Sequence, residues 1–167
     1  MKYRPTIVRN VVVLALAVAA GGVSAQQGVI SERSISANAA LELATASLER
    51  CRADGYKVTI TVLNRHARTA VVVSDDGVNP HTIENSMRKA YTAFTTRNPS
   101  GEMAKRAQPG LAGFMQLERI TSIEGGLPIF ANKELVGAVG ISGAPGGDKD
   151  AACAQAGLAK IATALGN

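Results

Sequence analysis

The chain has 167 residues, 46% of them hydrophobic and 4% aromatic, with 18 basic against 13 acidic side chains and a net charge of +5. Three basic residues, Lys2, Arg4 and Arg9, lie in the first 25 positions, so the remainder carries only +2, from 15 basic and 13 acidic groups. No Lys/Arg run interleaved with aromatics is left in it, which argues against a nucleic-acid-binding surface.

The opening MKYRPTIVRN leads into the uncharged run VVVLALAVAAGGV and then Val23-Ser24-Ala25. That core is too short to span a bilayer comfortably and ends in a small-x-small site. Residues 1–25 therefore read as a cleaved secretory signal peptide, the competing reading being an uncleaved N-terminal anchor. The mature chain, residues 26–167, then belongs to the periplasm or the extracellular space. It has no second hydrophobic span, and its length suits a single domain burying roughly 70% of its unfolded surface.

Ser36 is placed to cap a helix over about 37–53, with Leu41, Ala44, Leu48 and Cys51 at helical spacing and Asp54-Gly55 as its stop. In YKVTITVLN, Val58, Ile60 and Val62 alternate inward with threonines outward. RTAVVVSDD follows after a short turn at 65–67, and the two runs together predict a hairpin. Asp76-Gly77 and Asn79-Pro80 punctuate a loop, after which Thr82 is placed to cap a helix with the stripe Ile83, Met87, Ala90 and Phe94. Asn98-Pro99-Ser100 ends that helix, and a short one follows around 102–108. The runs LPIFA and ELVGAVGIS, separated by Asn132-Lys133, predict a second hairpin. PGGDKDAACAQAGLAKIATAL closes the chain as a helix with the stripe Ala151, Ala154, Leu158, Ile161 and Leu165.

The order α, β-β, α, α, β-β, α implies an α+β fold in which a central antiparallel sheet is flanked by helices. Laying the first and last helices side by side on that sheet brings Cys51 and Cys153 within reach of each other. Neither cysteine sits in C-x-x-C or C-x-x-C-H, so thioredoxin-like redox pairs, zinc knuckles and covalent haem attachment lack their motif. Export favours a structural disulfide between them over two separately buried thiols. Two distant histidines and no clustered cysteines also make a poor transition-metal site.

The glycine-dense stretch EGGLPIFANKELVGAVGISGAPGGDKD, residues 124–150, raises other possibilities. Gly140-Ile141-Ser142-Gly143-Ala144 is one residue from the nucleophile-elbow pattern, but the only histidines, His66 and His81, lie on other elements. No G-K-[ST] follows the glycines, and the dinucleotide-binding spacing is absent. Gly137, Gly140 and Gly143 then mark places where a strand bends or is approached closely.

GGLPI and ELVGAVGISGAPGGDKDAACAQAG, preceded by DDGVNPHTIENSMRKAYTA, closely resemble the GlcG/HbpS-like family of haem-binding and haem-degradation-associated proteins, from about residue 36 onward. The resemblance implies a profilin-like α/β/α sandwich, non-covalent haem binding and assembly into homo-oligomers. Where the family often has an Asp-x-x-Gly turn after the first strand, this chain reads Asn64-Arg65-His66-Ala67, so no role of that aspartate carries over.

The haem-iron candidates within this reading are few. His81 follows Asn79-Pro80 and sits just before the helix capped by Thr82, whose positive end disfavours imidazolium and suits a ligand; the alternative is a polar flank of the helix. His66, between Arg65 and Arg68, reads as an exposed turn residue. Tyr91 fits either an axial phenolate or ordinary packing. Arg88 and Lys89 are candidate cations for the haem propionates, or simply a solvated helix face. Gly125-Gly126 before Leu127-Pro128 would admit a planar ligand, or a neighbouring subunit, close to the backbone, with Glu124 pointing into the same pocket. The leading expectation is an exported, oligomeric haem-binding protein that captures or buffers haem or assists its degradation. The alternative is an enzyme or accessory factor acting on a small organic metabolite in the same pocket, with His81 as acid/base and Glu124 as its partner.

Overall fold

Ser36 does cap the first helix: its Oγ accepts a hydrogen bond from the Ala39 amide at 3.2 Å, and α1 runs Ala37–Ala53. The computed structural model describes residues 28–105 and 113–166. After α1 come β1 (Thr59–Asn64), β2 (Thr69–Ser74), α2 (His81–Thr96), the single turn α3 (Glu102–Lys105) and a 3-10 turn at Phe114–Gln116. The chain closes with β3 (Gly126–Ala131), β4 (Glu134–Ser142), α4 (Gly147–Lys160) and α5 (Ala162–Leu165). These elements belong to the compact unit Ser31–Asn167. The expected leader at residues 1–25 and the second half of the expected 102–108 helix lie outside the described residues.

The two hairpins dock side by side into a four-stranded antiparallel sheet of order β2-β1-β4-β3. Asn132 and Lys133 both take positive φ, +51° and +68°, the two-residue turn whose twist matches its flanking strands. On one face of the sheet Val58, Ile60, Val62, Ile129, Val139 and Ile141 form a core with the buried sides of α1 and α4. Leu43 belongs to that core, whereas Leu41, expected in the stripe, is 53% exposed, since the two-residue step between them turns the side chain by about 200° around the helix. The Cys51–Cys153 disulfide joins the two helices across a sequence separation of 102, with Cα atoms 5.5 Å apart. Closing a loop of that length stabilises the fold by about 4 to 5 kcal/mol on the chain-entropy model.

The opposite face overturns two expectations. Thr59 and Thr61 do not point to water; both are wholly buried, because α2 covers that side of the sheet. Thr61 shares a 2.8 Å hydrogen bond with Ser86, and Thr59 shares one of 2.8 Å with Thr82. The buried side of α2 is accordingly Thr82, Ser86, Lys89, Ala90, Thr92 and Ala93. Of the expected stripe only Ala90 is fully buried; Ile83 is 52% exposed, and Met87 and Phe94 are half-buried. Polar side chains win this interface because the sheet offers hydroxyl partners to Thr82 and Ser86 and the Thr121 amide donates to Thr92, and small ones win because the helix sits close.

The register explains how close. Gly126, Gly140 and Thr61 form one row across three strands under α2. A Cβ on Gly140 would run into the Ser86 carbonyl, and one on Gly126 into the Lys89 carbonyl. Gly126 and Gly140 of the 124–150 stretch thus admit a helix to the sheet. The expectation that Gly125-Gly126 admits a planar ligand or a neighbouring subunit is corrected: the backbone of α2 takes the space at Gly126, and Asp150, the Ile141 carbonyl and the Lys89 ammonium take it at Gly125.

Candidate functional site

At one end of the sheet the chain leaves β4 through Gly143-Ala144-Pro145-Gly146 into α4, directly beside the start of α2. Between these segments and the 55–57 and 77–79 loops lies a cavity of about 700 Å³, within the ~300–1,000 Å³ usual for small-molecule and cofactor sites. His81, Thr82, Asn85 and Lys89 line it from α2, Ser142 and Asp150 from β4 and α4, and Tyr56 and Lys57 from the loop after α1. The positions 81, 85 and 89 recur at four-residue intervals, so a single helix face supplies all three.

His81 is the first residue of α2 and is exposed at the mouth. The helix-capping position is Pro80, not Thr82, and it makes no side-chain cap bond. Proline suits a helix start because it has no N–H to satisfy there. Thr82 lies inside the first turn, where its Oγ1 donates to the Asn79 carbonyl at 2.6 Å and ties α2 to Thr59. That chain of contacts fixes the helix end that carries His81.

The floor is an ion pair removed from water. Lys89 is 1% exposed; its Nζ donates to Asp150 Oδ2 at 2.6 Å and to the Ile141 carbonyl at 2.9 Å. Asp150 Oδ1 accepts from the Ala144 amide at 3.0 Å, which pins the glycine-rich loop. Burial pushes the Asp150 carboxyl above its ordinary value, opposed by the Lys89 charge and hydrogen bond. Asn85 Nδ2 donates to Ser142 Oγ at 2.9 Å beside the pair. Gly125, at φ +120°, completes the floor, because a Cβ there would meet Asp150 Cβ at 2.7 Å and Lys89 Nζ at 2.8 Å.

The other residues singled out from the sequence do not gather here. Lys89 is the cavity's buried floor, neither a solvated side chain nor a rim cation. Arg88, its neighbour, is on the far side of α2, paired with Glu84 at 2.9 Å, and lines a separate cavity of about 520 Å³ with Arg68, Met87 and Arg119. Tyr91 is half-buried with the Arg119 guanidinium 5.6 Å from its ring centroid. Glu124 is exposed and does not line the His81 cavity; its Cβ packs where Gly101 and Gly147 leave room. Pro128 lies along β3, paired with Ala138, away from the cavity. His66 is in the β1–β2 turn, 63% exposed, 3.7 Å from a Glu32 carboxylate oxygen.

Asp150, Asn85 and Lys57 escaped the sequence reading, and Ser142 entered it only as a nucleophile set aside for want of a histidine. A signal for the first was present: Thr82, Ser86, Ala90 and Ala93 form a stripe of small residues, and a lysine embedded beside such a stripe must be buried and needs a carboxylate partner. Among the described residues no group of three or more His, Cys, Asp or Glu side chains could hold a metal ion, and no helix is long and apolar enough to cross a membrane.

The chain as a whole is similar to known proteins. The family model for HbpS-like proteins, described as haem-degrading, matches residues 35–159. The GlcG protein of Escherichia coli is 28% identical over 108 residues, 65% of this chain and 81% of its own. A crystal structure of a double mutant of Streptomyces reticuli HbpS superposes with a TM-score of 0.73 at 33% identity, covering 84% of this chain and 97% of that one. A crystal structure of a PduOC:haem complex shares the fold, with a TM-score of 0.72 at 24% identity over 77% of this chain and 95% of that one.

Proposed function

The chain belongs to the HbpS-like family of haem-degrading proteins, and from that premise we propose that it binds haem non-covalently in the cavity at the start of α2, with His81 as the axial ligand. The observation that carries the reading is an exposed imidazole at the mouth of a cavity of about 700 Å³. The residues present suit the group. His81 offers a nitrogen donor, Tyr56 a flat apolar wall, and Lys57 a cation at the rim, while both cysteines are committed to the disulfide and leave no thiol for covalent attachment. Haem, when bound, supplies redox-active iron. The chain's own part is to hold it: α2 presents His81, the Thr82–Thr59 hydrogen bond fixes that helix end, and the Lys89–Asp150 pair keeps the loop wall in place.

The setting belongs to the same proposal. Export with cleavage after Ala25 is supported by the leader pattern and is consistent with a disulfide, which persists in oxidising compartments. Ile83, Met87 and Phe94 on the outward side of α2 support a homo-oligomer. N-terminal sequencing of the exported protein should begin at Gln26, and sedimentation of the mature chain should exceed the monomer mass. A start at Met1 or a monomer overturns the respective part.

The deciding experiment is a visible-absorption titration of residues 26–167 with haemin, beside His81→Ala and His66→Ala. A saturable Soret shift near one haem per chain, lost in His81→Ala and kept in His66→Ala, is the expected result. A featureless titration overturns the reading. A second reading, a small polar metabolite in the same cavity, is favoured by one observation, the polar floor of Lys89, Asp150, Asn85 and Ser142; thermal stabilisation by small organic acids without any haem response would select it.

A further inference from the structure

Haem is a dianion through its propionates, and the two cations proposed from sequence to meet them do not fit the task. Lys89 is neutralised inside the floor and Arg88 lies on the far side of α2. Two other cations are nonetheless near the His81 cavity, Lys57 in its lining and Lys149 next to it against Tyr56. Lys57 lines the cavity with its Nζ 3.3 Å from where a Cβ on Gly77 would stand, on the side of the 77–79 loop. Lys149, in the first turn of α4, holds its Nζ 5.7 Å from the centroid of the Tyr56 ring, and Tyr56 lines the cavity.

Both lysines are exposed, and neither makes an ion pair among the described residues. The carboxylates nearest in the chain are engaged or set back. Asp75 is bound by Arg52 at 2.8 Å, and Asp148 turns Oδ1 onto Gly146. Asp76 and Glu124, the latter packed by Gly147, are exposed, and neither makes an ion pair with Lys57 or Lys149. The Tyr56 ring, held under Lys149 and next to Lys57 in the chain, is an apolar surface in the same cavity wall. That combination, an aromatic surface accompanied by two unpaired cations, matches the periphery of a planar apolar ligand bearing two carboxylates.

Resting on the haem reading above, we propose that Lys57 and Lys149 are the residues that recognise the propionates and orient the macrocycle toward His81. They are positioning residues; their contact is with the periphery and not with the reacting centre. Arg88 has no part in it.

The test compares haemin with haemin dimethyl ester, in which both propionates are uncharged, against the mature chain and its Lys57→Gln, Lys149→Gln and double variants. Lys160→Gln, an exposed lysine in the last turn of α4, controls for net charge alone. Each cavity lysine should weaken haemin binding about threefold and the double variant about tenfold, the range for exposed charge pairs. The ester should bind wild type and double variant alike, and the haemin advantage of wild type should shrink at high salt. Because both side chains are exposed, all variants should fold.

Haemin binding that is unchanged in the double variant, while His81→Ala still abolishes the Soret shift, overturns this assignment and leaves the haem reading standing. Equal losses for haemin and ester, or an equal loss in Lys160→Gln, overturn it as well, since neither would report a local carboxylate contact. A wild-type chain that gives no Soret shift overturns both.

Discussion

Gly125 is the residue on which the cavity floor turns. Its φ of +120° is a conformation side-chain-bearing residues avoid, and a Cβ would press on Asp150, Lys89 and the Ile141 carbonyl together. Gly125→Ala should therefore lower the unfolding free energy by about 2 kcal/mol or more, read from urea denaturation. The buried pair beneath it gives a second prediction. Lys89→Met leaves a carboxylate in the core with only the Ala144 amide as partner and should cost about 3 to 5 kcal/mol. Adding Asp150→Asn removes the stranded charge but keeps an acceptor for that amide, so the double variant should be more stable than Lys89→Met alone. If the double variant is the less stable, the pair contributes something beyond charge compensation.

Elements are held to one another by contacts that differ in kind. The end of α1 meets the end of β2 through Arg52 and Asp75, whose guanidinium donates from Nε and Nη2 to the carboxylate at 3.2 and 2.8 Å. The Arg52 hydrogen bond holds the Asp75 carboxyl below its ordinary value of about 3.9, against the opposing effect of burial. Below that value the unfolded chain binds this proton before the native chain does, so stability rises with pH across the window and is fully present above it. Asp75→Asn should flatten the acid limb of the melting temperature below about pH 4 while leaving its shape near neutrality unchanged. Asp150 has the opposite sign: its raised value means its contribution falls as pH climbs above the ordinary carboxylate range.

The elements themselves were legible from periodicity and punctuation, as Ser36, Asp54-Gly55 and Asn132-Lys133 show. The faces were less so. Thr59 and Thr61 alternate with valine and isoleucine just as solvent-facing residues would, and nothing local distinguishes water from a covering helix with serine and threonine on its underside. Lys89 and Asp150 lie 61 positions apart, so their pairing exists only once α2 and α4 are packed. His81 was recognisable because histidines are scarce in this chain and its neighbours Asn79-Pro80 mark a helix start.

At the scale of the molecule, hydrophobic packing is concentrated on the α1 and α4 side of the sheet, and the disulfide lies within it, both sulfurs inaccessible to water. Reduction, which first requires partial opening, should lower the unfolding free energy by about 4 kcal/mol and shift the urea midpoint down, with Cys51→Ala/Cys153→Ala reproducing the shift. An unchanged midpoint would mean that the helix packing alone determines stability. That bond has a further consequence for the chain's response to proteolysis. Every exposed loop between residues 52 and 152, including the one beginning at the left-handed Arg97, is inside the covalent ring. A single nick there opens the ring without releasing a fragment, so the cut protein keeps its full mass until a reductant separates it into two pieces.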